Sequence, residues 1–182
     1  MIQNRETAAA EAAKRVAQAM VAAAITAPKA NGGDRVVAAI LDGEDKAVLV
    51  RHMKDIAEET GAEFFDRDAN NVDNSHCIVM LGALNDPVLL DGCGFCGFTD
   101  CAESKAAGAT CAFNASDLGI AVGSAVSIAA DNRMDNRVLF SAGKAFLRMK
   151  VFEGVRVCYG IPLSTTSKSI FFDRGPGTVL LD

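Results

Sequence analysis

The sequence predicts an α+β fold, a sheet flanked by helices with a cysteine-rich loop inserted between a strand and a helix. Three observations predict it. A long alanine-rich segment opens the chain. Short apolar runs at residues 36–41, 77–84 and 155–163 recur at wide spacing. Helical patterns fill most of the stretches between them.

Residues 5–26 read as a helix because alanine, the best helix former, dominates them. The second half of that helix is apolar on all sides, which implies burial. Pro28 and the pair Gly32-Gly33 end it, leaving a polar, basic, glycine-rich loop over 26–33. The run 36–41 reads as a buried strand. Residues 45–60 form a second helix: Leu49, Met53 and Ile56 share a face, and Gly61 is a left-handed stop. Residues 63–65 suggest a short strand, followed by an Asn/Asp-rich loop over 66–74. Residues 77–84 are again strand-like. After the cysteine segment, 91–111, Asn114 or Ser116 caps a third helix over 117–131. There Gly119, Gly123, Ser124 and Ala125 make one side small enough for close packing. A fourth helix follows over 135–149, then the strand 155–163. The tail from 164 to 182 is polar at first and apolar at Val179, Leu180 and Leu181. No repeat or low-complexity linker divides the chain, so a single domain over 1–182 is expected.

Of the 182 residues, 50% are hydrophobic and 23% charged, with a net charge of −5 and a pI near 5.0. The basic residues are scattered, so there is no stripe to neutralise a phosphate backbone, and nucleic acid is excluded as a partner. The first residues, Gln3-Asn4-Arg5-Glu6, do not make the basic start and short apolar block of a secretory leader. The apolar stretch 16–25 is mostly alanine and is too short for a membrane span. A cytoplasmic location is expected, and there cysteine clusters bind metal more often than they form disulfides.

The chemistry concentrates in one segment. Cys93, Cys96, Cys101 and Cys111 are spaced C-x2-C-x4-C-x9-C. An iron–sulfur cluster needs thiolates that converge on one compact object. The first three can come from one tight loop, and the fourth returns after a short helix. Gly92, Gly94 and Gly97 can take positive φ and bring backbone N–H groups close to a cluster. Phe95 and Phe98 can exclude water. A helix starting near Asp100 would turn its positive end towards an anion. Zinc is the chemical alternative, although four-cysteine zinc sites usually pair two short C-x(2–4)-C knuckles and this segment has one. Cys77 and Cys158 lie inside apolar strand-like runs and read as packing residues.

Two further places can hold a phosphate. Ser164 to Lys168 is a run of hydroxyls ending in a cation, and Lys29 and Asn31 precede two glycines. The plain alternatives are a solvated loop and a helix-to-strand turn. His52 reads as a surface residue. His76 adjoins Cys77, but neighbours on a strand point to opposite faces, which counts against a nucleophilic pair.

The segment 93–102 resembles the CGxCGxxxC signature of a [4Fe–4S] domain found in iron–sulfur subunits of membrane electron-transport complexes and of corrinoid proteins. The fourth cysteine comes sooner here than in that family, which leaves Cys111 as the least secure of the four ligands. More of the chain resembles a prokaryotic family of uncharacterised proteins described only as containing a ferredoxin domain. The likeness runs through Cys93–Cys101, Cys111 to Phe113, 117–125, 135–138 and 160–174. It implies an iron–sulfur cofactor and no particular reaction. A fainter likeness is to nitroreductases. It lies in Ala27 to Asn31 after the first helix, in Asp117, Gly119 and Ala121, and in Gly160 to Leu163. It implies a nitroreductase-like mixed sheet flanked by helices, a homodimer, and FMN with Lys29, Asn31, Ser164 and Lys168 near its phosphate. The Arg-x-Ser-x-Arg phosphate motif of those enzymes is missing; Arg5 is the only arginine before Arg15.

Three functions follow as expectations. The first is a [4Fe–4S] electron carrier serving a redox partner protein or a small-molecule acceptor. The second is a flavin-dependent oxidoreductase fed by the cluster. The third is a non-catalytic protein whose loop is stapled by zinc or a structural cluster.

Overall fold

The computed structural model describes residues 2–172. Asp173, Arg174 and the apolar Val179, Leu180 and Leu181 lie outside the described residues. The first helix, α1 (Arg5–Thr26), opens where the Asn4 side chain accepts the Thr7 N–H at 2.8 Å. It leads to β1 (Val36–Leu41), α2 (Gly43–Thr60) and α3 (Phe64–Asp73). Then come β2 (Cys77–Leu84), the cysteine loop, the short α4 (Cys101–Ala106) and the long α5 (Ala112–Asp131). The chain closes with β3 (Asp135–Asn136), α6 (Phe140–Phe146), a 3-10 turn and β4 (Val155–Ser164).

The four strands form one sheet in the order β1-β2-β4-β3. β2 is entirely apolar and central, so both of its faces must be covered. Cys77, Val79, Leu81 and Ala83 point to the layer made by α1 and α5, while Ile78 and Met80 point to the layer of α2, α3 and α6. This alternation is the period-two geometry of a strand used on both sides. Every described pairing is antiparallel, not mixed as expected. Two helices, α2 and α3, separate β1 from its antiparallel neighbour β2.

The long first helix, its terminus, β2 and the Gly61 stop follow the sequence expectation. Gly61 takes φ 69 and its N–H reaches Ala57 O. Several expectations are corrected. Residues 63–74 are neither strand nor loop: Phe65, Ala69 and Val72 are buried at helical spacing against α2 and α6, and that burial overrides the poor helix propensity of Asn and Asp. Buried Asp68 completes the stripe, where its carboxylate accepts the Ser141 hydroxyl at 2.6 Å.

The third helix starts at Ala112, earlier than expected, with Cys111 as its N-cap. Asn114 is inside it and donates to Leu84 O and Asp86 O at 2.8 and 2.7 Å, tying the helix start to the end of β2. The expected fourth helix is shorter. Residues 135–136 pair with β4, and Leu139 and Gly160 exchange two backbone bonds, so α6 begins only at Phe140. The strand β1 is an edge strand and is only partly buried, with Ile40 37% exposed.

The close packing of α5 uses Ser124 and Ala125 as expected, but not the two glycines. Gly119 and Gly123 face outward, and a Cβ on either would meet nothing within 4 Å. The tight side is Ala121, Ala125 and Ala129 against Ala13, Ala17 and Ala24 of α1, with Ser124 donating to Ala23 O at 2.9 Å. By length and composition α5 could cross a bilayer; here one of its sides is part of the core.

Candidate metal centre

The cysteine loop leaves the end of β2 and returns at the first turn of α5. Asp100 caps α4 by accepting the Glu103 N–H at 2.8 Å, and the Glu103 carboxylate accepts the Thr99 N–H at 2.8 Å. This reciprocal pair places Cys101 at the first position of the helix. Gly94 and Gly97 take φ 54 and 85, and the Gly97 N–H closes a turn on Gly94 O at 3.0 Å, which carries the chain from Cys93 to Cys96. Cys111 is fixed by the start of α5 and is buried.

All four cysteines line one cavity of about 240 Å³. All are free thiols. Hydrogen bonds from the Phe98 N–H and the Ser104 hydroxyl favour the thiolate of Cys96 and hold its pKa below the usual thiol value. Ser104 is the one buried residue of α4, and its part was not legible in the sequence. Phe98 is half-buried. Phe95 is 70% exposed and leans on Phe113 with ring centroids 5.5 Å apart, so it shields the cavity less than expected.

Among the described residues, no three His, Cys, Asp or Glu side chains stand close enough to hold a metal ion. The cysteines therefore share a cavity without converging on one point. Thiols gain nothing by crowding until a metal replaces their protons, so closure of such a site is coupled to loading. The donor set fits an inorganic cluster: four thiols, a compact cavity, and a loop whose glycines can adjust. The cavity falls below the roughly 300–1,000 Å³ usual for organic ligands, so it does not fit a flavin.

The phosphate candidates do not form one site. The Lys29 ammonium donates to Ala24 O, Ile25 O and Ala27 O at 2.6–2.8 Å and faces Asp34 at 3.8 Å. Its role is to close the C-terminus of α1. Asn31 is exposed at φ 54. The neighbouring Ala30 N–H donates to both oxygens of buried Asp117 at 3.1 and 3.0 Å, docking this loop on α5. Ser164 is fully buried at the end of β4. Lys168 follows it on an exposed turn, where its carbonyl accepts the Thr166 hydroxyl at 2.6 Å. That turn lies beside Arg5, at the opposite end of α1 from Lys29, and a helix of that length rises roughly 33 Å.

A second cavity, about 240 Å³, lies at this far end between Arg5, Glu6, His76, Thr165, Thr166 and Ser167. The His76 Nε2 is 2.9 Å from Thr165 Oγ1. Burial, then the charge of Lys46, lowers the His76 pKa. Arg5 and His76 were not legible as partners of the hydroxyl run: the antiparallel pairing of β2 with β4 brings His76 to it, and the packing of α1 on the sheet brings Arg5. Cys77 and Cys158 are buried as expected, and burial pushes their thiols up to about 11 and about 12. His52 is half-buried on α2 with Asp55 at 3.7 Å.

Comparison with solved structures defines the fold as that of the nitroreductases. The FMN-dependent nitroreductase NfnB of Mycobacterium smegmatis, solved with NADPH, aligns over 87% of this chain and 81% of its own, with a TM-score of 0.60 and 12% identity. The hypothetical oxidoreductase YcnD of Bacillus subtilis aligns over 86% of this chain and 59% of its own, at TM-score 0.54 and 14% identity. NfrA2 of B. megaterium aligns over 85% and 58%, at TM-score 0.52 and 12% identity. This chain thus spans less than two thirds of the two Bacillus proteins.

An uncharacterised protein of Archaeoglobus fulgidus is 36% identical over 97% of this chain and 99% of its own length. Residues 107–174 match the family described as uncharacterised proteins containing a ferredoxin domain (DUF2148). The chain belongs to that family. The matched segment includes Cys111 and begins after Cys93, Cys96 and Cys101. The family's description, a ferredoxin domain, points to redox chemistry.

Proposed function

We propose that this chain is an iron–sulfur redox protein in which Cys93, Cys96, Cys101 and Cys111 hold a [4Fe–4S] cluster. The observation that carries the reading is the lining of one compact cavity by all four cysteines. When bound, such a cluster supplies one-electron exchange at a potential set by its surroundings. The chain's own contribution is local. The Phe98 N–H and the Ser104 hydroxyl bias Cys96 towards the ligating thiolate. The Asp100–Glu103 pair holds Cys101 in place, and α5 anchors Cys111. The acceptor is a redox partner protein or a small molecule, and the protein is expected to act in the cytoplasm.

The test is a visible spectrum with iron, sulfide and zinc analysis of anaerobically purified protein. A broad band near roughly 400 nm that bleaches with dithionite, with about four irons and four sulfides per chain, supports the reading. A colourless protein holding one zinc would replace it with a structural metal site.

A second reading rests on the far cavity. Arg5, His76 and the hydroxyls of Thr165, Thr166 and Ser167 offer donors suited to a phosphate monoester. On a nitroreductase fold they would hold the phosphate of FMN, with a second copy of the chain completing the pocket for the ring. Flavin would supply two-electron hydride chemistry. Bound flavin after gentle purification, together with a dimer in solution, would establish it; a flavin-free monomer would not allow it.

A further inference from the structure

Leu89 is a residue the fold itself does not explain. It takes φ 59, a left-handed conformation that glycine or asparagine adopts readily and leucine does not. It is also 71% exposed, so it buries little of its side chain. Leu90 and Phe95 beside it are 37% and 70% exposed, and all three line the mouth of the cysteine cavity. An apolar side chain held in strained backbone at the surface is accounted for by what comes to cover it. The segment that carries this lip is predominantly acidic, although Arg156 of β4 comes up beside Gly108. Between residues 89 and 113, Asp91, Asp100 and Glu103 are exposed, against the single base Lys105.

We propose that Leu89, Leu90 and Phe95 form the apolar centre of a docking surface for a protein partner whose contact patch is apolar and ringed by lysine and arginine. The acidic rim steers such a partner and the lip excludes water once it has arrived. The inference rests on the redox reading for its purpose, since docking there brings a partner's redox group to the cysteines. It does not rest on that reading for its geometry.

The test uses a basic c-type cytochrome as the probe partner, with binding followed by ¹⁵N chemical-shift changes in this chain. The expected result is a set of shifts confined to residues 86–113 and their neighbours, and weaker binding between 10 and 150 mM salt as the screening length falls from about 30 to about 8 Å. Leu89→Asn should melt at or above the wild-type temperature and bind the cytochrome about tenfold more weakly. Polylysine, which carries charge without an apolar patch, should lose affinity with Asp91→Asn and keep it with Leu89→Asn. Shifts elsewhere, no binding, or unchanged binding by Leu89→Asn overturns the proposal. Because the readout needs no cluster, a protein without iron would sink the redox reading and leave this measurement intact.

Discussion

Gly143→Ala adds one methyl group to α6. In an isolated helix this exchange is favourable by about 1 kcal/mol. In this structure the new Cβ would lie 1.7 Å from the Cys158 carbonyl oxygen, 2.4 Å from its carbon and 2.9 Å from the Tyr159 nitrogen. All three are backbone atoms of β4, so no side chain can swing away. Relief needs the helix to retreat from the sheet by more than an ångström.

That retreat loosens the two Leu139–Gly160 backbone bonds at 2.8 and 3.0 Å and the buried Ser141–Asp68 bond at 2.6 Å. It also opens the contacts of Ala142, Ala145 and Phe146 with the core. At about 1 kcal/mol per hydrogen bond, with a similar loss of packing and the propensity gain set against it, the net cost is about 3 kcal/mol or more. For a chain of this size that lowers the melting temperature by roughly 10 °C.

Gly119→Ala is the control. It is the same exchange in an exposed helix interior with nothing within 4 Å, and should gain about 0.5–1 kcal/mol. Thermal and urea unfolding followed by circular dichroism measures both variants. A Gly143→Ala protein that melts at or above the wild type would refute the packing argument.

Asp68→Ala should cost about 2–4 kcal/mol by leaving the buried Ser141 hydroxyl unpaired, while exposed Asp66→Ala changes stability by less than about 0.5 kcal/mol; equal effects in urea melts would contradict the burial of α3. With reduced, metal-free protein at pH 8, a thiol reagent should label Cys93, Cys96 and Cys101 readily, and should label Cys77 and Cys158 only after unfolding, as mass mapping can show. Those two thiols also set an alkaline limit. Their folded pKa values are raised from 9.0 to about 11 and about 12, so the folded state keeps protons that the unfolded chain releases. The stability they contribute is complete below pH 9 and falls as pH rises, by up to about 1.4 kcal/mol per pH unit for each thiol. The variant Cys77→Ala/Cys158→Ala should show a flatter stability profile between pH 9 and 10.5, and an unchanged slope would exclude this cause.

The sequence by itself determined what local chemistry dictates. Alanine content and the Gly61 stop set α1 and the end of α2, and apolar runs of strand length set β2 and β4 almost to the residue. Four cysteines among glycines marked the segment that now lines one cavity, although the sequence spacing could not say whether the sulfurs converge. Residues 63–74 were illegible because the Asn and Asp side chains that suggested a loop mask Phe65, Ala69 and Val72, whose burial needs α2 and α6 already in place. The start of α5 was misjudged for a like reason: its anchor is Asn114 reaching the carbonyls of Leu84 and Asp86, some 30 residues away. Only tertiary structure could separate Gly143, pressed on β4, from Gly119, open to solvent, since both are helix glycines in sequence. It alone put Lys29 and Ser164 at opposite ends of α1 while gathering Arg5, His76 and Thr165 around one cavity. The physical reason is common to all these cases. Propensity and period act within a few residues, whereas a site is made by whichever distant segments helix packing and strand pairing bring together.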